Sequence, residues 1–210
     1  MSNLNKKQIM IIQSAMKVFC KDGFHKAKVS TIASEAGIGK GTIYEYFKNK
    51  QDLFLKMIQY YTDVYFRNLV TSMKNEESVI EKLRIYIVLE EECMKKFGDL
   101  AHIFIHESQY IGVEITKIMQ RQREATVQFI ATIIEEGIHK NLFRNIDPYL
   151  SSLIFIGSVH QILVSKFCMK DNFAKQIELT NLYDALLNGI KNPSVDLSIS
   201  LENKKKIETK

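Results

Sequence analysis

Thr31-Ile32-Ala33-Ser34-Glu35-Ala36-Gly37-Ile38-Gly39-Lys40-Gly41-Thr42-Ile43-Tyr44-Glu45-Tyr46-Phe47 is the stretch whose reading decides the fold. Ile32, Ile38, Ile43 and Phe47 are spaced so that two short crossing helices share one small apolar core. Ala33 is small enough to let the two axes approach. Gly37 supplies the positive φ that a tight helix-to-helix turn requires. The pattern predicts a helix-turn-helix.

The second helix of the pair presents Lys40, Gly41, Thr42, Tyr44 and Tyr46 outward. Its first backbone N–H groups have no intrahelical acceptor and are free to meet a phosphate. Gly41 removes a side chain where the helix end would approach DNA. Lys40 has the reach and charge to read guanine O6 and N7 in the major groove, and the two phenols suit phosphates. Lys48 and Lys50, at the junction with the next helix, are expected to hold phosphates as well. The alternative is that the tyrosines are ordinary half-buried rings and the lysines a solvated face.

Working outward, Ile9, Ile12, Met16 and Phe19 recur at helical spacing up to Asp22-Gly23, where the glycine predicts a helix stop. Short helices are expected over 29–36 and 40–47. Asn49, with Asp52 three residues on, reads as a cap for a long helix running toward Met73. Two helices follow, over 76–97 and 99–110, divided near Gly98. Another covers 113–140 and ends on Asn141, a residue that tolerates the left-handed conformation. Asp147-Pro148 is a start signal, the aspartate capping and the proline filling the first helical position. The last helix is expected over 173–190. The chain is thus all-α, about nine helices, with a three-helix head at 1–48, a helical body at 49–192 and a basic tail at 193–210.

Charge follows the same division. Of a formal net charge of +5, the first fifty residues hold nine lysines against Asp22, Glu35 and Glu45, a surplus of six, which leaves −1 for the rest. A basic head on a neutral body suggests a polyanion for the head alone. The three cysteines, Cys20, Cys93 and Cys168, are scattered, which fits a reducing cytoplasm; Cys20 and Cys168, among apolar neighbours, are expected to be buried. No stretch approaches the roughly 18 apolar residues needed to span a membrane, and no signal-peptide core opens the chain.

The segment resembles the TetR family of regulators. Phe19, Gly23-Phe24, Ile32-Ala33, Ala36-Gly37-Ile38, Lys40-Gly41-Thr42-Ile43-Tyr44, Tyr46-Phe47-Lys48-Asn49-Lys50 and Leu53 stand at that family's spacing. The likeness covers roughly residues 8–54; beyond them only the helical layout matches. Lys28 replaces the family's usual capping threonine, so the second helix is expected to start late, at Ser30. Gly39 replaces a serine cap, and Tyr46 a histidine. The resemblance implies a homodimer paired through the last two helices, where Gly157 allows close approach. It also implies double-stranded operator DNA bound through Ser30, Lys40, Gly41, Thr42, Tyr44, Tyr46, Lys48 and Lys50, and release when a small effector enters the body. Tyr61, Tyr65, Phe104, Tyr110, Phe129 and Phe155 are candidates to line the effector pocket. Between Phe104 and Phe167 the chain loosely resembles the fatty-acid-responsive branch, which implies an acyl-CoA or another apolar molecule. A cationic ligand facing Glu90, Glu91, Glu92 and Glu107 is the competing choice, and Arg121 and Arg123 are expected on the surface.

Other classes find less support. His102 and His106 are four apart on a helix, and Glu136-Gly137-Ile138-His139 is one Glu-x-x-His, but a di-metal bundle needs two such motifs and two more carboxylates. No nucleophile elbow, P-loop or dinucleotide fingerprint is present, so no enzyme, metal or cofactor is expected. A helical interaction protein that keeps the head without reading DNA is the remaining alternative, supported by Glu45 on the exposed face.

Overall fold

The computed structural model describes residues 4–169 and 171–188, and of residues 97–111 the backbone only. Within these bounds every element is helical. α1 (Lys6–Lys26) opens on a complete capping box, Asn5 and Gln8 each accepting the other's backbone N–H at 2.9 Å. Gly23 leaves helical geometry at φ 73 and ψ 171, and one further turn follows before Ala27. α2 (Val29–Glu35) begins directly after Lys28, whose side chain caps nothing. The helix therefore starts one residue before the expected Ser30, because buried Val29 is drawn into the head core. α3 is Lys40–Tyr46, preceded by Gly39.

α4 (Lys50–Met73) is capped as its sequence predicts: Asn49 accepts from the Asp52 N–H at 2.8 Å. The Asp52 carboxylate reaches back to the N–H of Lys48, also at 2.8 Å. The expected break at Gly98 does not occur, and α5 runs unbroken from Val79 to Ile111. One glycine costs a helix only about 1 kcal/mol against alanine, too little to halt propagation without a cap or proline. The break falls at Gly112 instead, φ 96, and α6 (Val113–His139) follows. Asn141 takes the left-handed conformation expected of it, φ 56.

α7 (Pro148–Leu163) starts on Asp147, whose carboxylate accepts from the Leu150 N–H at 2.6 Å, and continues into a π-helical turn, Val164–Cys168. By length and composition the stretch Pro148–Cys168 is apolar enough to cross a membrane, contrary to the sequence reading, with a third of its window buried. The sequence reading rests on unbroken apolar runs, which Ser151, Ser152, Ser158, His160, Gln161, Ser165 and Lys166 interrupt, while the mean hydropathy of the stretch still reaches that of a span. The single last helix expected over 173–190 is two: α8 (Asn172–Lys175), started by the Asp171 carboxylate, and α9 (Leu179–Asn188), whose first turn hangs on the Glu178 carbonyl. Phe173, in α8, is 85% exposed. The tail at 193–210 and Ile190 lie outside the described residues.

The chain divides into two compact units, at Gln176 and Ile177. Inside the first, α1 packs on α2, α4 and α5, while α6 packs on α4, α5 and α7. The head core joins Ile11, Ile12, Ala15 and Phe19 of α1 to Ile32 and Ala33 of α2, Ile43 of α3, Phe47, and Leu53, Phe54, Met57 and Ile58 of α4. Phe19, Phe24 and Phe54 meet at ring-centroid distances of 4.9 to 5.9 Å. Ile115 of α6 is buried in the same cluster, with Ile118 beside it. The head is therefore not closed by its own three helices.

Candidate nucleic-acid interface

The α2–α3 turn is built as the sequence implies. Gly37 sits at φ 65, and the Ile38 N–H returns to the Ala33 carbonyl at 3.0 Å. A Cβ at Gly37 would meet nothing within 4 Å, so the glycine is there for its conformation and not for space. Ile32, Ile43 and Phe47 are buried beneath the turn and Ile38 packs against them. Each such side chain contributes about 1.5–3 kcal/mol of burial, enough for seven-residue helices that would not persist alone. An ion pair of 2.7 Å between Lys17 and Glu35 crosses from α1 to α2, on the surface and of small energetic weight.

With the apolar side of α3 spent on the core, its other side is open. Ser30, Lys40, Gly41, Tyr44 and Lys48 are exposed, and Thr42 and Tyr46 half-buried. Lys40 lies 5.9 Å from the centre of the Tyr44 ring, so charge and phenol form one patch at the start of the helix. A Cβ on Gly41 would touch nothing within 4 Å, so the helix surface there is bare backbone. Lys50, expected among the phosphate contacts, is placed differently. Its ammonium donates to the carbonyls of Phe24, His25 and Ala27 at 2.8, 3.1 and 3.2 Å and lies 4.7 Å from the Phe24 ring centre.

The candidate effector residues are dispersed. Tyr61 lines a groove of about 620 Å³ between α1, α4 and α5, with Met10, Ser14, Met16, Lys17, Cys20 and Lys96. Burial pushes its phenol up, Tyr60 and Cys20 adding to the effect. Tyr65 hydrogen bonds to the Glu90 carboxylate, as does Tyr86, and burial followed by the Glu90 charge holds both phenols far above their usual range. Burial likewise pushes the neighbouring Cys93 thiol up to about 12. Phe129 packs edge-on against Phe66, and the Phe155 ring lies tilted at 45° to that of Tyr86. Of the remaining candidates, Phe104 and Tyr110 lie outside the described side chains, with Glu107, His102 and His106. Glu91 is taken by Lys95 and Lys166, and Arg121 and Arg123 are exposed. Glu136 is held by Lys82 and Lys140 at 2.7 and 2.6 Å, and no group of three metal-ligating side chains gathers among the described residues. The three cysteines form no disulfide and are half-buried, so Cys20 and Cys168 are more accessible than expected.

A helix-turn-helix with an open basic face, mounted on a helical body, is the architecture of a DNA-binding transcriptional regulator. Residues 11–57 match the family model for bacterial regulatory proteins of the tetR family, and residues 76–164 match the tetracyclin repressor-like C-terminal domain. The chain belongs to the TetR family. It is 25% identical to the fatty acid metabolism regulator protein of Bacillus subtilis over 194 residues, covering 91% of this chain and all of that protein. Among solved structures, FadR from Bacillus subtilis in complex with stearoyl-CoA superposes with a TM-score of 0.72 at 23% identity, covering 87% of this chain and 99% of that one. AibR in complex with isovaleryl coenzyme A and operator DNA superposes with a TM-score of 0.62 at 18% identity, covering 87% and 97%. Ile115 was not found as a head residue from sequence; the Ile115–Ile118 spacing at the start of α6 was the available signal.

Proposed function

We propose that the protein is a homodimeric repressor in the cytoplasm that holds a near-palindromic operator through α3 and lets go when an acyl-CoA, or a similarly apolar effector, binds its body. The observation that carries this reading is the open face of α3, where Lys40, Gly41 and Tyr44 are exposed beside one another while Ile43 anchors the helix from behind. Residues 1–48 serve as the DNA-reading head, 49–192 as the effector and dimer domain, and 193–210 as a basic tail. Ser30, Lys40, Gly41, Thr42, Tyr44, Tyr46 and Lys48 face the duplex. Pairing of α7 with its copy is supported by an exposed stripe, Leu150 (56%), Ile154 (58%) and Gly157, on a helix whose opposite side, Phe155 and Val159, is buried. Nothing lies within 4 Å of a Cβ on Gly157, room that a partner helix would use. The family likeness assigns the last helix, α9, to dimer pairing as well.

The effector class is drawn from the acyl-CoA complexes of FadR and AibR and from the aromatic residues along α4, α5 and α6. A ligand relieves repression only if it binds the DNA-incompetent arrangement better than the competent one. The test is competition. Protein bound to a labelled duplex from the region flanking its own gene is titrated with stearoyl-CoA, isovaleryl-CoA and free coenzyme A. Release by an acylated form at micromolar concentration, with free coenzyme A inert, is the expected result. Retention of DNA in all three would remove the acyl-CoA assignment while leaving the DNA reading intact.

A further inference from the structure

We infer that Lys50 is a positioning residue for DNA binding and not a phosphate contact. Its ammonium sits in a cradle of three main-chain carbonyls and ties the exit of the helix-turn-helix to its entrance. The chain enters the pair at Ala27 and leaves it at Asn49, so the hydrogen bonds from Lys50 to Phe24, His25 and Ala27 close a ring around α2 and α3. The cradle lies where α1 ends: Phe24 and His25 belong to its last turn and Ala27 is the residue that follows it. An ammonium carries three protons and no acceptor, and here three carbonyl oxygens stand within 3.2 Å of it. The Phe24 ring, 4.7 Å away, covers the cation from one side. A phosphate would take Lys50 only by stripping these carbonyls, whereas Lys48, two residues earlier, is exposed.

The latch sets the pose of the reading head. Lys50 is the first residue of α4, and α4 carries Leu53, Phe54, Met57 and Ile58 into the head core before passing Tyr61 and Tyr65 in the body. With the ring closed, α2, α3 and the first turn of α4 move as one piece. This inference rests on the DNA-binding reading, so its test has one arm read without DNA.

Three full-length variants are compared with the parent: Lys50→Met, Lys50→Arg and Lys48→Met. In the free protein, amide hydrogen exchange at residues 27–32 and 50–53 should rise tenfold or more in Lys50→Met, with the α6 core at 127–134 unchanged. Lys50→Arg should show the same local rise, because a planar guanidinium fork does not fill three converging carbonyls as an ammonium does. Binding to a random 30-base-pair duplex is then followed against salt. Lys48→Met should lower the log–log slope by about one unit per subunit. Lys50→Met should weaken binding several-fold with the slope kept to within about half a unit. A slope reduced by about one in Lys50→Met, with parental exchange in the free protein, would overturn the inference. Parental exchange in Lys50→Met would by itself overturn it too, since the closed ring would then not depend on the ammonium. If no variant and no parent binds duplex, the exchange arm still decides the latch, and only the DNA reading falls.

Discussion

Gly41 shows how a single residue can separate folding from function. It stands inside α3, where alanine would favour the helix by about 1 kcal/mol, and its surroundings are empty to 4 Å. Gly41→Ala should therefore keep or raise the melting temperature while weakening operator binding tenfold or more, because the added methyl meets the duplex. Thermal melting and fluorescence anisotropy on one preparation check both halves. Unimpaired binding would mean that α3 approaches DNA elsewhere. Gly37 and Gly41 were legible in the sequence because each answers to a local rule, one of φ and one of space. Lys50 was not. Its partners are main-chain carbonyls of residues 23 to 26 positions earlier in the chain, and no side-chain pattern announces them. Read by charge alone, it looks like its neighbour Lys48.

Among elements, the junction of α5 and α6 matters most for the link between body and head. Gly112 ends α5 at φ 96, and a Cβ there would lie 3.4 Å from the side chain of Gln51 in the first turn of α4. Three residues on, Ile115 enters the head core, 2% exposed. Ile115→Ala should cost about 2–5 kcal/mol, the range for truncating a fully buried isoleucine. Chemical denaturation measures that loss; under about 1 kcal/mol would mean that α6 rests on the head without helping to close it. Helix boundaries followed the sequence wherever a cap marked them: Asn49 with Asp52, Asp147 before Pro148, Asn141 in the left-handed region. They departed where only composition was available. Gly98 lacked the cap or proline that ends a helix, so α5 continued through it. The stretch after Asp171 broke in two although its apolar residues kept helical spacing. Periodicity reports which face would be buried, and it does not report whether the backbone runs on.

At the scale of the molecule, the +6 carried by the first fifty residues runs from α1 to the first residue of α4, and the rest of the chain is almost neutral. A head of this kind gains affinity by releasing counterions and specificity by presenting two recognition helices at a fixed spacing. That second half depends on the α7 stripe finding its copy. The measurement that bears most directly on the account is a titration of the purified protein against DNA flanking its own gene, at two salt concentrations, with Tyr44→Ala and Lys48→Ala alongside. Saturation at two chains per near-palindromic site is predicted, with a steep salt dependence. Lys48→Ala should flatten that dependence by about one unit for each phosphate left without its lysine, and Tyr44→Ala should weaken binding at both salt concentrations. Equal, weak and sequence-indifferent binding by all three proteins at low salt would contradict it.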